Sequence, residues 1–308
     1  MAKTILVTGS STGIGYHIAC TLAERGCRVF AGARKKSDLE RLGKIENIVP
    51  VKLDVTEKSE IASVVKHIAS EGQRLDGLVN NAGLGGLGPF TTWSETEFHQ
   101  IFDVNAYGPW RLSNACLDLL LASKGRIVNI GSQGGMITTK YFGPYTMTKY
   151  ALEAYTEAFR AELEAKGVHV SIVQPGGIVS DIGANSMPST SERFHRAKPP
   201  FHKEAQEALK SFESPSDADE DSPESATNRK PSHPSIVTDA VCHALFHREP
   251  RPRYLVGTQW EGNRVIKALF EKLVHSNASP TLGYTRDELI SMLDDALAES
   301  PNKDWRGA

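Results

Sequence analysis

With 308 residues and a formal charge of −2, the chain is long enough to bury a large core and carries no electrostatic footprint for nucleic acid or an anionic bilayer. Its four cysteines (Cys20, Cys27, Cys116, Cys242) form no CxxC pair and keep no ligand spacing with histidine, so neither a metal site nor a disulfide framework is expected. No apolar run approaches bilayer-spanning length, and the N-terminus enters a strand pattern at once, so a soluble, cytoplasmic protein without a cleavable leader is expected.

Strand-like and helix-like stretches alternate through the first two-thirds. Residues 4–7, 28–33, 48–53, 75–80, 126–130 and 168–173 are short β-branched runs that read as buried strands. Between them, 13–25, 37–42, 57–70, 95–121 and 145–165 read as helices; in 57–70, for example, Ile61, Val64, Val65 and Ile68 fall on one face. Strands alternating with helices of this length predict an α/β fold, a doubly wound parallel sheet covered on both faces. Right-handed crossovers bring every strand's C-terminal end to one edge, where ligands bind. After Ser180 the periodicity lapses. Residues 181–234 read as an insertion with a short helix at 201–212 and an acidic, Ser/Pro-rich run at 214–234, too polar to bury a core and expected to be a partly disordered substrate lid. Helices near 235–247, 263–274 and 285–297 and a strand at 253–256 complete one domain spanning 1–308, with 235–308 as its C-terminal part.

The turn at 8–15, TGSSTGIG, joins the first strand to the first helix. Glycines there let a pyrophosphate approach the backbone, and the helix N-terminus supplies free N–H groups and a positive dipole end. The pattern predicts a dinucleotide site; a purely structural turn is the alternative. After the second strand, Arg34, Lys35 and Lys36 stand where an NAD site usually places a carboxylate for the ribose. These cations suit a 2′-phosphate, so NADP(H) is expected in preference to NAD(H), although a solvated basic loop would look the same.

Residues 132–149 hold a second constellation: Ser132 at the end of a strand, then Tyr145 and Lys149 four apart on a helix. At roughly 4 Å and an effective dielectric near 20, a cation and a phenolate interact by about 4 kcal/mol. That is about three pKa units, enough to bring a phenol toward neutrality. The same spacing also arises by chance at the start of an amphipathic helix.

In this order and in these elements, the motifs resemble the short-chain dehydrogenase/reductase family, a Rossmann-type fold, in its shorter-chain subclass. The resemblance covers about the first 180 residues. Residues 8–15 match its TGxxxGIG turn, Asp54 and Val55 its adenine contact, residues 80–83 its NNAG motif, and Pro175-Gly176 its PG motif. Asn105, Ser132, Tyr145 and Lys149 match its active-site set. The resemblance implies that Tyr145 is the general acid or base and that Lys149 lowers its pKa and holds the nicotinamide ribose. It implies that Ser132 polarises the substrate oxygen and that Asn105 holds a water linking Lys149 to solvent. It implies cofactor contacts at Gly9, Ser11, Gly13, Ile14, Gly15, Arg34, Asp54, Val55, Asn81, Ala82, Gly83, Tyr145, Lys149, Pro175, Gly176, Ile178 and Ser180, with no metal. Ser180 stands where the family usually has threonine and keeps the hydroxyl.

Residues 80–89 and 26–34 are similar to the branch containing hydroxysteroid and retinol dehydrogenases, which implies a small-molecule alcohol or carbonyl substrate with a bulky apolar body. Leu84, Met136, Ile137, Tyr141, Phe142 and Met187 are candidates for its pocket, and each also reads as ordinary packing. His195 and His202 read as solvent-facing. The resemblance further implies a homodimer or homotetramer through helices 95–121 and 145–165. Three rival readings are an NADP(H)-binding redox sensor without turnover, a scaffold recruiting partners through 214–234, and an epimerase or dehydratase of the longer-chain branch. The intact four-residue set argues against the first, and the glycine motif argues against the last.

Overall fold

A computed structural model describes residues 2–72, 74–213, 231–279, 281 and 283–299. Seven parallel strands form one sheet in the order β3-β2-β1-β4-β5-β6-β7. They are β1 (Thr4–Val7), β2 (Arg28–Ala33), β3 (Ile48–Lys52), β4 (Gly77–Asn80), β5 (Arg126–Ile130), β6 (His169–Pro175) and β7 (Arg253–Val256). Successive side chains point to opposite faces, so the β-branched runs feed two cores. Ile5, Val7, Val29 and Ala31 pack under α1 (Gly13–Glu24), α2 (Lys36–Leu42) and α10 (Ser235–Phe246). Leu6, Phe30, Leu78 and Ile127 pack under α3 (Lys58–Ser70), α5 (Gly108–Ala115), α6 (Leu117–Ser123) and α7 (Gly143–Leu163). The chain winds outward from β1 to β3 and then returns to β4, which opens a crevice between β1 and β4 at their C-terminal ends.

Two expectations need correction. The long helix over 95–121 is broken into α4 (Glu95–Phe102), a π-helical turn (Asp103–Tyr107), α5 and α6. Pro109 has no N–H, so the α-helical donor to the Asn105 carbonyl is missing, and the ladder shifts so that the Gly108 N–H reaches the Asp103 carbonyl instead. The insertion, read as largely irregular, contains α8 (Ile182–His195) before α9 (His202–Glu213). Gly183 and Pro188 lower its helix propensity, and it buries Thr190 and Arg193 together with a single large apolar side chain, Phe194, so it leaves no apolar stripe in the sequence. Residues 214–230 lie outside the described residues, and with them most of the acidic run. C-terminal to β7 stand α11 (Gln259–Asn277) and α12 (Arg286–Glu299).

The buried side chains at the site end of β4 and β5 include a polar ladder. Asn80 Nδ2 donates to Asn129 Oδ1 (2.8 Å) and Ser113 Oγ (3.1 Å), and Asn129 Nδ2 donates to Thr156 Oγ1 (2.9 Å) on α7. Asn80 and Asn129 are register partners, so the ladder pins β4, β5 and α7 together below the crevice. Replacing Thr156 by Val keeps the shape but strands the buried Asn129 amide. We expect Thr156→Val to lose about 1–3 kcal/mol of unfolding free energy in a denaturant titration.

Candidate active site

At the end of β1 the backbone turns at Gly9 (φ +66°) and Gly13 (φ +56°), a region that side chains other than glycine rarely adopt. A Cβ at Gly15 would stand 2.3 Å from both the Gly9 carbonyl and Asn81 Nδ2, so α1 begins in direct contact with the turn and with the end of β4. Asn81 fixes this arrangement. Its Nδ2 donates to the carbonyls of Thr8 (2.9 Å) and Gly9 (3.1 Å), while its own N–H and that of Ala82 donate to Thr8 Oγ1 (both 2.9 Å). The Asn81 side chain therefore shapes the turn.

No carboxylate occupies the first turn of α1, and the Thr12 side chain makes no cap hydrogen bond. The first-turn N–H groups, with the dipole behind them, are thus left for an anion such as a pyrophosphate. Arg34, Lys35 and Ser11 line the same end of the crevice. Arg34 is 66% exposed and lies 3.7 Å from Asp54 Oδ2. Burial opposes the Asp54 charge, but hydrogen bonds from Thr56 and the nearby guanidinium outweigh it and hold the carboxyl below its usual range. Residues of these types fit a phosphorylated dinucleotide.

The crevice is a cleft of about 1080 Å³ that runs from this turn to Ser132, Tyr145 and Lys149, past Pro175, Gly176, Ile178 and Ser180. Every site residue expected from the sequence lines it except Asn105, which is buried behind it. Ser180 packs beside the glycine turn, where a Cβ on Gly13 would come 3.0 Å from its own Cβ. Ser132 Oγ accepts from the Gly134 N–H (3.0 Å) and hydrogen-bonds the Tyr145 phenol. Lys149 Nζ donates to the Ile130 carbonyl (2.9 Å), tying α7 to the end of β5.

The expected lowering of the Tyr145 pKa by Lys149 is not found. Burial raises the phenol and only the Ser132 bond opposes it. The ammonium lies 5.8 Å from the centroid of the ring and is committed to a carbonyl. It is itself brought down to about 8 by desolvation, against the pull of Glu153. Asn105 is bonded within the protein. Its Oδ1 accepts from the Leu84 N–H (2.7 Å), and its Nδ2 donates to the Leu84 carbonyl (2.9 Å) and Thr148 Oγ1 (3.1 Å), so both its amide hydrogens are used there.

Several residues that shape the site were not identified from the sequence. Glu153 lies beneath the Ser132 turn, where a Cβ on Gly131 or Gly135 would meet its Oε1 at 3.3 or 3.0 Å. Its carboxylate accepts from Gln174 Nε2 (2.8 Å) and pairs with Arg253 (3.1 Å). Glu261, in the first turn of α11, accepts from the Gly177 N–H (2.5 Å) and backs the PG turn. The YxxxK spacing extended by one helical turn would have flagged Glu153, whereas Glu261 carries only the helix-capping pattern it forms with Thr258 and no local sign of its contact with the PG turn.

The far end of the cleft is more polar than expected. Of the apolar pocket candidates only Leu84 lines it, beside Trp93, Gln100, Ile182, Ser186 and Arg193. Tyr141 instead packs edge-on against Phe194 at 5.0 Å between centroids. His195 and His202 are exposed, as expected. Arg193, 5% exposed, clasps α8 to α4. Its Nε donates to Glu97 Oε1 (3.0 Å) and its Nη1 to the Leu87 carbonyl (3.0 Å), and its guanidinium stacks 3.7 Å over Trp93. Glu97 also completes the capping box of α4 with Ser94 and accepts from Arg196 at 2.8 Å.

Burial alone would raise the Glu97 pKa, but the bonds from Ser94, Arg196 and Arg193 outweigh it and hold the carboxyl at about 2. Because the folded-state pKa is depressed, the clasp's stability is fully present above about pH 4.5 and is lost as pH falls toward 2. We expect Glu97→Gln to remove that acid-limb stability, of order 1 kcal/mol after solvent screening, in melting curves taken across this range.

The short chain dehydrogenase family model matches residues 3–190. The chain is 33% identical over 271 residues to the uncharacterized oxidoreductase YbbO of Escherichia coli K12, covering 87% of this chain and 91% of that protein. A short-chain dehydrogenase structure from Streptomyces avermitilis superposes with a TM-score of 0.71 at 25% identity, covering 97% of this chain and 99% of that one. A metagenomic short-chain oxidoreductase in complex with NADP does so with a TM-score of 0.54 at 31% identity, covering 57% and 83%. The chain belongs to the short-chain dehydrogenase family and is an oxidoreductase of the alcohol–carbonyl class.

Proposed function

We propose that the protein is an NADP(H)-dependent oxidoreductase in which Tyr145 exchanges the proton at the substrate oxygen. The observation that carries the reading is the single cleft joining the glycine turn, Arg34 and Lys35 to Ser132, Tyr145 and Lys149. NADP, as bound by the metagenomic relative, supplies or accepts a hydride at the carbon bearing that oxygen. First-turn N–H groups of α1 would hold its pyrophosphate, and Arg34 with Ser11 would hold its 2′-phosphate. Ser132, its Oγ already accepting from Gly134, directs its own proton to the substrate oxygen. Burial keeps Tyr145 protonated, which suits donation to a carbonyl in the reductive direction. Lys149, with a pKa near 8, replenishes that proton and holds the nicotinamide ribose, a role that the match to the family's active-site set supports. Both amide hydrogens of Asn105 are used within the protein, and its part in the relay falls to its main-chain carbonyl, which lacks a helical donor at Pro109.

For the substrate we propose a bulky alcohol or ketone whose apolar body lies along Leu84, Ile101 and Ile182 and whose far end meets Gln100, Ser186 and Arg193. The resemblance to the hydroxysteroid and retinol branch supports the body, and the polar lining supports the far end. Residues 181–234 then act as a substrate lid, supported by α8 lining the cleft, on a single domain that continues through 235–308. Exposed Tyr107, Trp110 and Met147 on the helices expected to pair support a homo-oligomer through that face. No helix among the described residues is long and apolar enough to cross a membrane.

Tyr145→Phe separates this reading from a cofactor sensor. Turnover of a panel of ketones and alcohols should fall by at least about 100-fold while NADPH still binds. Tight binding without turnover of any panel member by the parent would establish the sensor. Cofactor choice is tested by Arg34→Ala, which should weaken NADPH about tenfold in a fluorescence titration and leave NADH unchanged. Equal affinities of the parent for the two cofactors would refute the 2′-phosphate assignment.

A further inference from the structure

Half of the exposed large apolar side chains among the described residues lie in α11, α12 and the turn joining them. On α11, Ile266, Phe270 and Val274 recur at helical spacing and are 47%, 52% and 63% exposed. On α12, Ile290, Leu293 and Leu297 do the same at 38%, 46% and 53%. α12 buries none of its 14 residues against the rest of the described chain. A helix of that length is marginal in water and normally depends on a packed apolar face. Two adjacent unpaired stripes of this size mark a surface that something covers.

Charge identifies the occupant. α12 carries Asp287, Glu288, Asp294, Asp295 and Glu299 against Arg286 alone, whereas α11 exposes Arg264, Lys267 and Lys272 against Glu271. The inward-turned Glu261 carboxylate does not offset them, because it is bonded to Gly177 and Thr258. We infer that this arm docks reciprocally with a second copy of the chain, α12 of each copy lying along the apolar stripe of α11 of the other. The arrangement is self-complementary, as a two-fold contact requires: a basic-flanked stripe meets an acidic one twice. A lipid surface would need the opposite charge, since interfacial helices carry lysine and arginine and an anionic leaflet repels carboxylates. The contact does not depend on the catalytic reading.

Sedimentation velocity and light scattering on the full chain test this. Phe270→Glu, or Leu293→Glu with Leu297→Glu, should lower the mass about twofold without changing the melting onset of the core, because these side chains are exposed. Lys267→Glu with Arg264→Glu, and separately Asp294→Lys with Asp295→Lys, should each weaken association, and combining all four in one chain should restore it. A parent whose mass equals that of Phe270→Glu overturns the inference, and so does a failure of the combined chain to recover. Flotation with phosphatidylcholine–phosphatidylserine vesicles that depends on Phe270, at unchanged mass, would assign the arm to a membrane instead.

Discussion

Thr8 and Asn81 tie the C-terminal ends of β1 and β4 together, and the spacing between the phosphate turn and α7 depends on that tie. Thr8 Oγ1 accepts two N–H groups from the β4 side and lies 3.4 Å from the Val79 carbonyl, to which it donates. Asn81 returns two bonds to the carbonyls of Thr8 and Gly9. Five hydrogen bonds thus span the point where the winding reverses, the one place in a doubly wound sheet where no crossover helix covers the strand ends. Gly15 then has no room for a side chain, because the start of α1 lies directly against the clamp. The anion-binding N–H groups therefore stand at a distance from β4 that is set by backbone contact, independent of what lies further along the cleft.

A second set of buried polar contacts sets the other half of the site. Lys149 donates to the Ile130 carbonyl, and one helical turn on Glu153 accepts from Gln174 and pairs with Arg253 on β7. Burial acts on both ionised members of α7, lowering the ammonium and raising the carboxylate, and each is kept useful by a different partner. For Lys149 the partner is the Ile130 carbonyl, with Glu153 behind it. For Glu153 the partners are Gln174 and Arg253. Removing one member of such a set leaves a buried charge uncompensated, which costs more than the pair contributes. Because Gly131 and Gly135 lie directly on the Glu153 carboxylate, the turn that carries Ser132 rests on the same network. The phenol, the ammonium and the serine hydroxyl are held as one unit.

The sequence made legible whatever is local and periodic. The strands came from β-branched runs and the phosphate turn from its glycines. Tyr145 and Lys149 came from a spacing that a helix turns into adjacency, and Ser132 from its place at the end of a strand. Less legible was whatever depends on long-range partners. Glu97 and Arg193 are 96 positions apart, and although Ser94 marks Glu97 as a helix cap, nothing local to either residue marks their pairing. α8 is held by a guanidinium, a threonine and one phenylalanine, so it lacks the apolar period that reveals a helix. Pro109 was a visible signal for the break in the long helix, but apolar residues on either side of it masked the interruption. The direction of the Tyr145 shift failed for a geometric reason. A shared helix face brings two side chains near each other without pointing the ammonium at the phenol oxygen, and here a carbonyl took the bond.

These differences divide the cleft into two kinds of wall. The dinucleotide end is made mostly of backbone, from glycine turns and helix N–H groups, so its chemistry follows from topology and tolerates wide change elsewhere. The substrate end is made of side chains from α4, α8 and the loop after β4, joined by the Arg193–Glu97 clasp. The α8–α9 segment also has a small core of its own, with Phe194, Ala197, Ala205 and Leu209 buried apart from both main cores. Its return limb is anchored beside the cofactor end, where Ser232 pairs with Gly177 and Val179. A unit with its own core, fixed at one end by backbone pairing and at the other by a charged clasp, keeps its internal structure when the clasp alone changes. Altering Arg193, Glu97 or their neighbours thus reshapes the substrate end while the sheet edge and the cofactor turn keep their geometry.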